Sequence, residues 1–274
     1  MKADKRAGVL AHLAAALAII VAAAPFLWMI LTSLKTPPEI IGTETGILPH
    51  SFYLDNYKNL FDTEFLAYFV NSALIAVATT AIALAVAILA GYGFARFRFV
   101  GNRPLLLIVV CAQMFPAVLL AIPLYKIMRT LGLLDSRAGL VLVYVTFALP
   151  FCIWMMRNYF LGMSVEIEEA ALIDGCNRFT ALWRVVLPPA LPGVAAASAF
   201  CIILVWDEYL YANTFIDTDS KRTLSVGLAT LMGQYTTDWG RLMAAAVLMT
   251  VPIVVIFAFL QRFLTHIAGG GVKG

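Results

Sequence analysis

Six long apolar runs punctuate the chain, at residues 9–31, 65–94, 104–127, 139–156, 191–215 and 242–263. Each reaches or nearly reaches the ~20 residues that a helix needs to cross a ~30 Å hydrocarbon layer, so the pattern predicts six membrane-spanning helices. The second run is long enough that it must tilt or leave the membrane at its ends. The first follows Lys2, Lys5 and Arg6 and contains Ala22-Ala23-Ala24, which looks like a signal-peptidase site. The run nevertheless continues through Pro25 to Leu31, too long for the apolar core of an ordinary signal peptide, and it is read as a retained first helix.

One stretch breaks the apolar rhythm. Residues 163–193 are polar and predict two short helices. Ser164 suits a cap, Glu166, Glu168 and Glu169 fall in a first turn where the helix dipole favours negative charge, and Gly175 suits the left-handed turn that stops a helix. Phe179, Leu182, Trp183, Val186 and Leu187 then recur at helical spacing as one apolar face. Pro188, Pro189 and Pro192 are expected to break this second helix before the fifth span. By periodicity alone, the pair could be a membrane-surface hairpin with no partner. Ala170 and Ala171 beside Glu169 suit a helix that docks in a groove with one ionic latch.

Composition supports the membrane reading. The 274 residues are 62% hydrophobic and 13% charged, against about 45–50% and 25% in soluble domains. The net charge of +3 comes from scattered Lys and Arg, so nucleic acid is not an expected partner. With the N-terminus inside, eleven of the nineteen Lys and Arg fall on the cytoplasmic side. The cluster Arg96, Arg98, Arg103 in a very short loop weighs most. Both termini and the polar loop at 157–190 are then cytoplasmic. Cys111, Cys152, Cys176 and Cys201 form no metal or disulfide pattern and read as small fillers. The three His are scattered, no G-x-x-x-x-G-K-[ST] phosphate loop is present, and neither H-E-x-x-H nor G-x-S-x-G occurs. The chain therefore offers no ATP site of that kind, no metal site and no hydrolase motif. Small residues in the second span, Ala81 with Ala85 and Ala83 with Ala87, offer faces for close helix packing.

Glu169-Ala170-Ala171, then Asp174-Gly175, then Leu187-Pro188 twelve residues after that Gly resembles the EAA loop of permease subunits of ATP-binding cassette importers. Other segments carry the same likeness through nearly the whole chain, nearest to the carbohydrate, maltose-permease-like branch. They include Leu54-Asp55-Asn56-Tyr57, Gly91-Tyr92-Gly93-Phe94-Ala95-Arg96-Phe97, Ile122-Pro123-Leu124-Tyr125, Trp206-Asp207-Glu208-Tyr209-Leu210, Asp238-Trp239-Gly240 and the tail Gly271-Val272-Lys273-Gly274. Asp207 stands where such chains more often carry Asn. The resemblance implies an all-α, six-span type I importer permease, one domain over 1–274, in a bacterial or archaeal cytoplasmic membrane. It implies a second homologous permease, two ATPase subunits that hold ATP and Mg, and an extracytoplasmic sugar-binding protein docking on the outer segments 36–64 and 216–240. No cofactor is expected on this chain itself. Residues 165–175 would be the coupling helix, with Glu169 opposite a basic ATPase residue, Gly175 as hinge, and Ala170, Ala171, Asp174, Leu187 and Pro188 completing the motif. The tail would reach into the ATPase pair.

For the substrate path, the spans offer few polar groups. Gln113 and Met114 lie mid-span in the third run, and Trp206, Asp207, Glu208, Tyr209, Tyr211 and Asn213 lie late in the fifth. Intramembrane polar residues face a cavity or a partner helix. Aromatic faces with neutral hydrogen-bonding groups suit a neutral sugar. The competing class is an ion-coupled secondary transporter, in which Asp207 and Glu208 would be coupling sites. The chain shows no internal repeat of the kind many such transporters carry.

Overall fold

The computed structural model describes residues 2–42, 46–61, 63–233 and 237–270, with the side chains of 2–10 and 262–270 left aside. The tail at 271–274 lies outside the described residues. The described chain is helical, and its strand-like pairing is a single antiparallel bridge between Met232 and Thr237. In chain order the helices are α1 (Lys2–Ser33), α2 (Pro37–Ile41), α3 (Asp55–Phe61), α4 (Phe65–Arg96), α5 (Asn102–Ala112), α6 (Ala117–Thr130), α7 (Arg137–Leu161), α8 (Glu166–Ile173), α9 (Arg178–Ala181), α10 (Leu187–Trp206), α11 (Leu210–Phe215), α12 (Leu224–Thr230) and α13 (Trp239–Gly270). Among the described residues, five helical stretches are long and apolar enough to cross a membrane, and six if α5 and α6 count as one broken span.

Packing divides the chain into two compact units. The first joins the opening 66 residues to Gly227–Val251. Its centre is Asn56, whose buried amide donates to the carbonyls of Ser33 (2.9 Å) and Lys35 (3.0 Å). These carbonyls end α1, where intrahelical donors run out. Gly240 lies flat on the same amide, and a Cβ there would sit 2.7 Å from it. Two separate motifs of the sequence, around Asn56 and around Gly240, thus serve one close contact. A capping box of Thr36 and Glu39 opens α2. Backbone donation from Thr36 and then His50 holds the Glu39 carboxyl down at about 2.

The second unit joins Ala67–Val226 to the stretch beginning at Pro252. Its core is α7, on which Leu140, Tyr144, Ala148, Cys152, Met156 and Phe160 recur every fourth residue and are fully buried. An i, i+4 row lies along one side of a helix, which makes this the stripe that neighbouring helices cover. Against it pack α10, through Ala190, Gly193, Ala197 and Cys201, and α4, through Gly91. Of the two small-residue faces expected on α4, the one with Ala83 and Ala87 is buried, whereas Ala81 and Ala85 are exposed. Asp135 clips two loops, accepting from the Asp217 and Thr218 backbone and from Lys221 Nζ at 2.7 Å. The Lys221 ammonium in particular holds its carboxyl well below the ordinary range.

Gly91 is expected to be intolerant and Gly93 tolerant. A Cβ on Gly91 would lie 2.9 Å from the Arg157 backbone nitrogen and 2.9 Å from Met156 Cβ, while Gly93 has nothing within 4 Å. Gly91→Ala should cost about 1–3 kcal/mol through overpacking, and Gly93→Ala should be neutral or stabilising by up to about 1 kcal/mol. Thermal unfolding of the two purified variants checks this; equal melting temperatures would show that α4 does not press on α7.

Two expectations need correction. The third run is not one continuous span: α5 and α6 meet at 98°, broken at residues 113–116. Gln113 and Met114 close tight turns onto Val110 and Cys111. Pro116, lacking an N–H and held at ψ 126, sends the chain off in a new direction. Pro123, by contrast, stays inside α6. The fifth run, expected at 191–215, is shifted toward the N-terminus, because the helix runs from Arg178 to Trp206 and α11 is separate. The prolines do not stop it. A π-helical turn, Leu182–Val186, precedes them, and Leu187 N–H donates to Leu182 O five residues back. Pro188 and Pro189 then enter where α10 restarts, and a missing N–H is tolerated in a first turn.

Candidate functional site

The polar loop forms a compact projection at the end of α7. Ser164 Oγ accepts from the Glu166 N–H at 3.2 Å, satisfying one free donor at the start of α8 from one residue further out than a formal cap. The other end closes as a Schellman turn: Cys176 N–H donates to Ala171 O (3.0 Å), Gly175 N–H donates to Leu172 O (3.1 Å), and Gly175 takes φ +87. The stop expected at Gly175 is therefore present. Asn177 then caps α9 through the Thr180 N–H at 2.8 Å.

The two neighbouring carboxylates of α8 have opposite fates. Glu168 points inward with its side chain 4% exposed, accepting from Arg96 Nε at 3.0 Å and from the Tyr92 hydroxyl. The Arg96 guanidinium, 6% exposed, also donates to the Met163 carbonyl. Tyr92 and Arg96 are four residues apart on α4 and share one face, so the loop is anchored on the end of that span by a buried charge pair with its hydrogen bonds filled. Sequence reasoning missed this anchor. Its signals were the Tyr-x-x-x-Arg spacing and the Glu doublet. Glu169, Ala170, Asp174 and Gly175 are exposed, and the Glu169 carboxylate makes no hydrogen bond or ion pair among the described residues. Ile173 joins this face, an apolar side chain 86% exposed and also not foreseen. Ala171 is buried, packed inward with Glu168.

Leu187 and Pro188 are not part of that face. They lie where the π turn meets α10, Leu187 half-buried and Pro188 exposed, and α8 packs on the π turn itself. The apolar face expected on the second helix is also only partly inward. Leu182 and Val186 are buried together with Ala181 and Ala190, while Phe179 and Trp183 are exposed, edge to face at 6.1 Å.

A cavity of about 530 Å³ opens within the second unit at the break between α5 and α6. Of the residues named from the sequence, Gln113, Glu208 and Tyr211 line it, together with Phe115, Tyr144, Phe147, Phe151 and Phe200. Phe151 and Phe200 stack at 3.7 Å, and Phe147 lies 4.9 Å from Tyr211. The other candidates are not gathered there. Met114 is exposed, Trp206 is buried edge-on against Phe69 at 5.4 Å, and Asp207, Tyr209 and Asn213 are exposed. Glu208 uses both carboxylate oxygens within the chain. It accepts from Tyr144 O–H at 2.6 Å and from the backbone of Tyr211 (2.9 Å) and Ala212 (3.2 Å), capping α11. A carboxylate spent in this way is a structural cap at the wall of an aromatic chamber.

The sequence matches the model of the family described as binding-protein-dependent transport system inner membrane component over residues 83–266. The chain is 35% identical over 263 residues to the inner membrane ABC transporter permease protein YcjP of Escherichia coli, covering 94% of each chain. It is 35% identical over 267 residues to the sulfoquinovosyl glycerol transport system permease protein SmoH of Agrobacterium fabrum, covering 97% of this chain and 94% of that one. Its fold superposes with a TM-score of 0.82, at 24% identity, on a chain of a bacterial ABC transporter that imports the acidic polysaccharide alginate, covering 96% of this chain and 98% of that one. The helical spans, the polar projection and these likenesses agree, and the chain belongs to the binding-protein-dependent inner membrane components, the permease subunits of ABC transporters.

Proposed function

We propose that this chain is a single permease domain, residues 1–274, that forms the path of a saccharide across the cytoplasmic membrane together with a second, homologous permease. It is driven by two separate ATPase subunits that carry ATP and Mg and is supplied by an extracytoplasmic binding protein. The observation that carries this reading is the projection formed by α8. One face is anchored on α4 by Glu168 and Arg96, and the other presents Glu169, Ala170, Ile173, Asp174 and Gly175, exposed among the described residues. A rigid helix with a free small-residue and acidic face suits docking in a basic groove of a partner. Its anchor passes the displacement to a membrane span. Both termini and this loop are assigned to the cytoplasmic side by the Arg96, Arg98, Arg103 cluster.

The mechanism follows from differential binding. Nucleotide binding that closes the ATPase pair must favour one arrangement of the spans, and hydrolysis must release it, because a ligand shifts an equilibrium only by its difference in affinity for the two states. The cargo assignment rests on chemistry: the chamber at the α5–α6 break combines stacked aromatic faces with Gln113, while the Tyr211 hydroxyl donates to the Ala117 carbonyl and keeps only its acceptor side. The naming of SmoH for sulfoquinovosyl glycerol transport supports a saccharide cargo. Leu187 and Pro188 serve by letting the projection continue into α10 rather than by docking.

Affinity purification from the native membrane, followed by uptake in proteoliposomes, tests this. The expected result is co-purification of an ATPase and a second permease, with saccharide uptake that needs ATP and a binding protein. Uptake that collapses with a protonophore at constant ATP would move the chain to the ion-coupled class. Within the chamber, Phe151→Ala and Gln113→Leu should each raise the apparent KM for cargo about 3- to 10-fold, the loss of one stacking contact or one neutral hydrogen bond. The basal ATPase rate of the complex should be unchanged. Wild-type KM in both would remove the chamber from the path.

A further inference from the structure

The short loop between α4 and α5 reads Phe97-Arg98-Phe99-Val100-Gly101-Asn102-Arg103 and joins two apolar helices at one end of the bundle. Gly101, at φ +97, folds it back on itself. The fold brings Arg98 and Arg103 to the wall of a cavity of about 840 Å³, where Arg157, from the last turns of α7, joins them beside Phe94, Phe97 and Phe99. Among the described residues, no Asp or Glu lines the cavity. Arg96, one residue before the loop, is spent on Glu168. Among the described residues, Arg98 and Arg103 make no ion pair, and Arg157 has its Nε buried without a partner while its Nη1 donates to Asn158 Oδ1 at 3.3 Å. Three guanidinium groups around one hollow repel one another, and an anion bound among them relieves that repulsion. At the rim, Phe97, Phe99 and Val100 are exposed.

We propose that this cavity binds the phosphodiester headgroup of an anionic phospholipid. The chemistry called for is a phosphate oxygen cluster held by guanidinium forks with an apolar tail beside it. The cavity lies where α4 and α7, both of spanning length, end, which is the level of the headgroups. Exposed Phe and Val interleaved with Arg suit the boundary between headgroup and acyl chain and would be ill placed in water. A free phosphate would satisfy the arginines and leave the apolar rim unexplained. The cavity adjoins the polar loop, because the Arg178 guanidinium of α9 lies over the Phe97 ring at 5.0 Å. In the proposed orientation it faces the cytoplasmic leaflet, whose anionic lipids attract such clusters.

The test is native mass spectrometry of the full chain, purified with the subunits that accompany it, stripped of lipid and then offered phosphatidylglycerol or phosphatidylcholine. The expected result is retention of phosphatidylglycerol at least about tenfold over phosphatidylcholine, undiminished by millimolar inorganic phosphate. The triple variant Arg98→Gln, Arg103→Gln, Arg157→Gln should lose the selectivity, and the triple Arg→Lys variant should keep part of it. Equal retention of the two lipids by the wild-type complex would overturn the proposal without reference to any variant. Displacement by inorganic phosphate would assign the arginines to a free anion instead. Undiminished selectivity in a monodisperse Gln variant would place the lipid elsewhere.

Discussion

Arg96→Ala and Glu168→Ala are each expected to destabilise the chain by about 3–5 kcal/mol, the cost of leaving one buried charge without its partner. The geometry supports the upper part of that range. Both side chains are almost fully enclosed, the Nε–Oε2 distance is 3.0 Å, and the remaining groups are taken by Tyr92 and the Met163 carbonyl. Desolvation has therefore already been met by a filled network, and removal of either end leaves the other exposed to a low-dielectric environment. Replacing both is expected to cost less than the two single losses added, because the orphaned charge disappears along with its partner. Denaturation of the wild type, the two single variants and the double variant in one detergent gives the coupling energy. An additive double variant would show that the pair is not held together in the folded chain. The functional consequence is distinct: with the anchor gone, α8 no longer moves with α4. ATP hydrolysis by the assembled complex should then continue while cargo uptake falls.

Glu169→Lys should also lower uptake, about tenfold or more, but leave the fold intact. Glu169 is exposed and its carboxylate has no partner among the described residues, so charge reversal in the first turn of α8 should cost no more than about 1 kcal/mol, through the helix dipole. Opposite a basic groove on an ATPase, the same change replaces an attraction with a repulsion, and truncating or reversing one side of a buried interfacial pair costs about 2–5 kcal/mol. Membrane abundance, melting temperature, ATPase retention on purification and uptake should be measured together. The expected outcome is normal abundance and melting with loss of bound ATPase or of uptake. Normal uptake would sink the assignment of this face as the docking surface. Rescue by an acidic substitution at the facing ATPase residue would establish the contact. Of the adjacent carboxylates, loss of Glu168 should therefore lower stability and uptake together, and reversal of Glu169 should lower uptake alone.

How far these roles were legible in the sequence depends on how local their causes are. The stop at Gly175 could be read because a left-handed turn is a single-residue requirement. The acidic first turn of α8 could be read because the helix dipole acts within one turn. Four of the spans also follow from periodicity and length, whereas only packing selects Ala83 with Ala87 from the two small-residue faces offered on α4. The reading went astray where two local rules competed. Pro188, Pro189 and Pro192 ordinarily end a helix, but the π turn before them shifts the hydrogen-bond register and lets the helix run on. Pro116 stands at a near right-angle break, because it follows turns that have already ended α5.

Sequence alone determined that the chain is a helical membrane protein, where its polar projection lies and which family motif that projection carries. These are properties of composition, run length and short-range spacing. Only the tertiary structure decided which carboxylate of the Glu168–Glu169 doublet is buried, which of the polar candidates share a chamber, and that Arg98, Arg103 and Arg157 surround one hollow. Each of these depends on residues 50 or more positions apart being brought side by side. The energy that selects such a neighbour comes from burial and pairing between helices, which the pattern along a single helix does not contain.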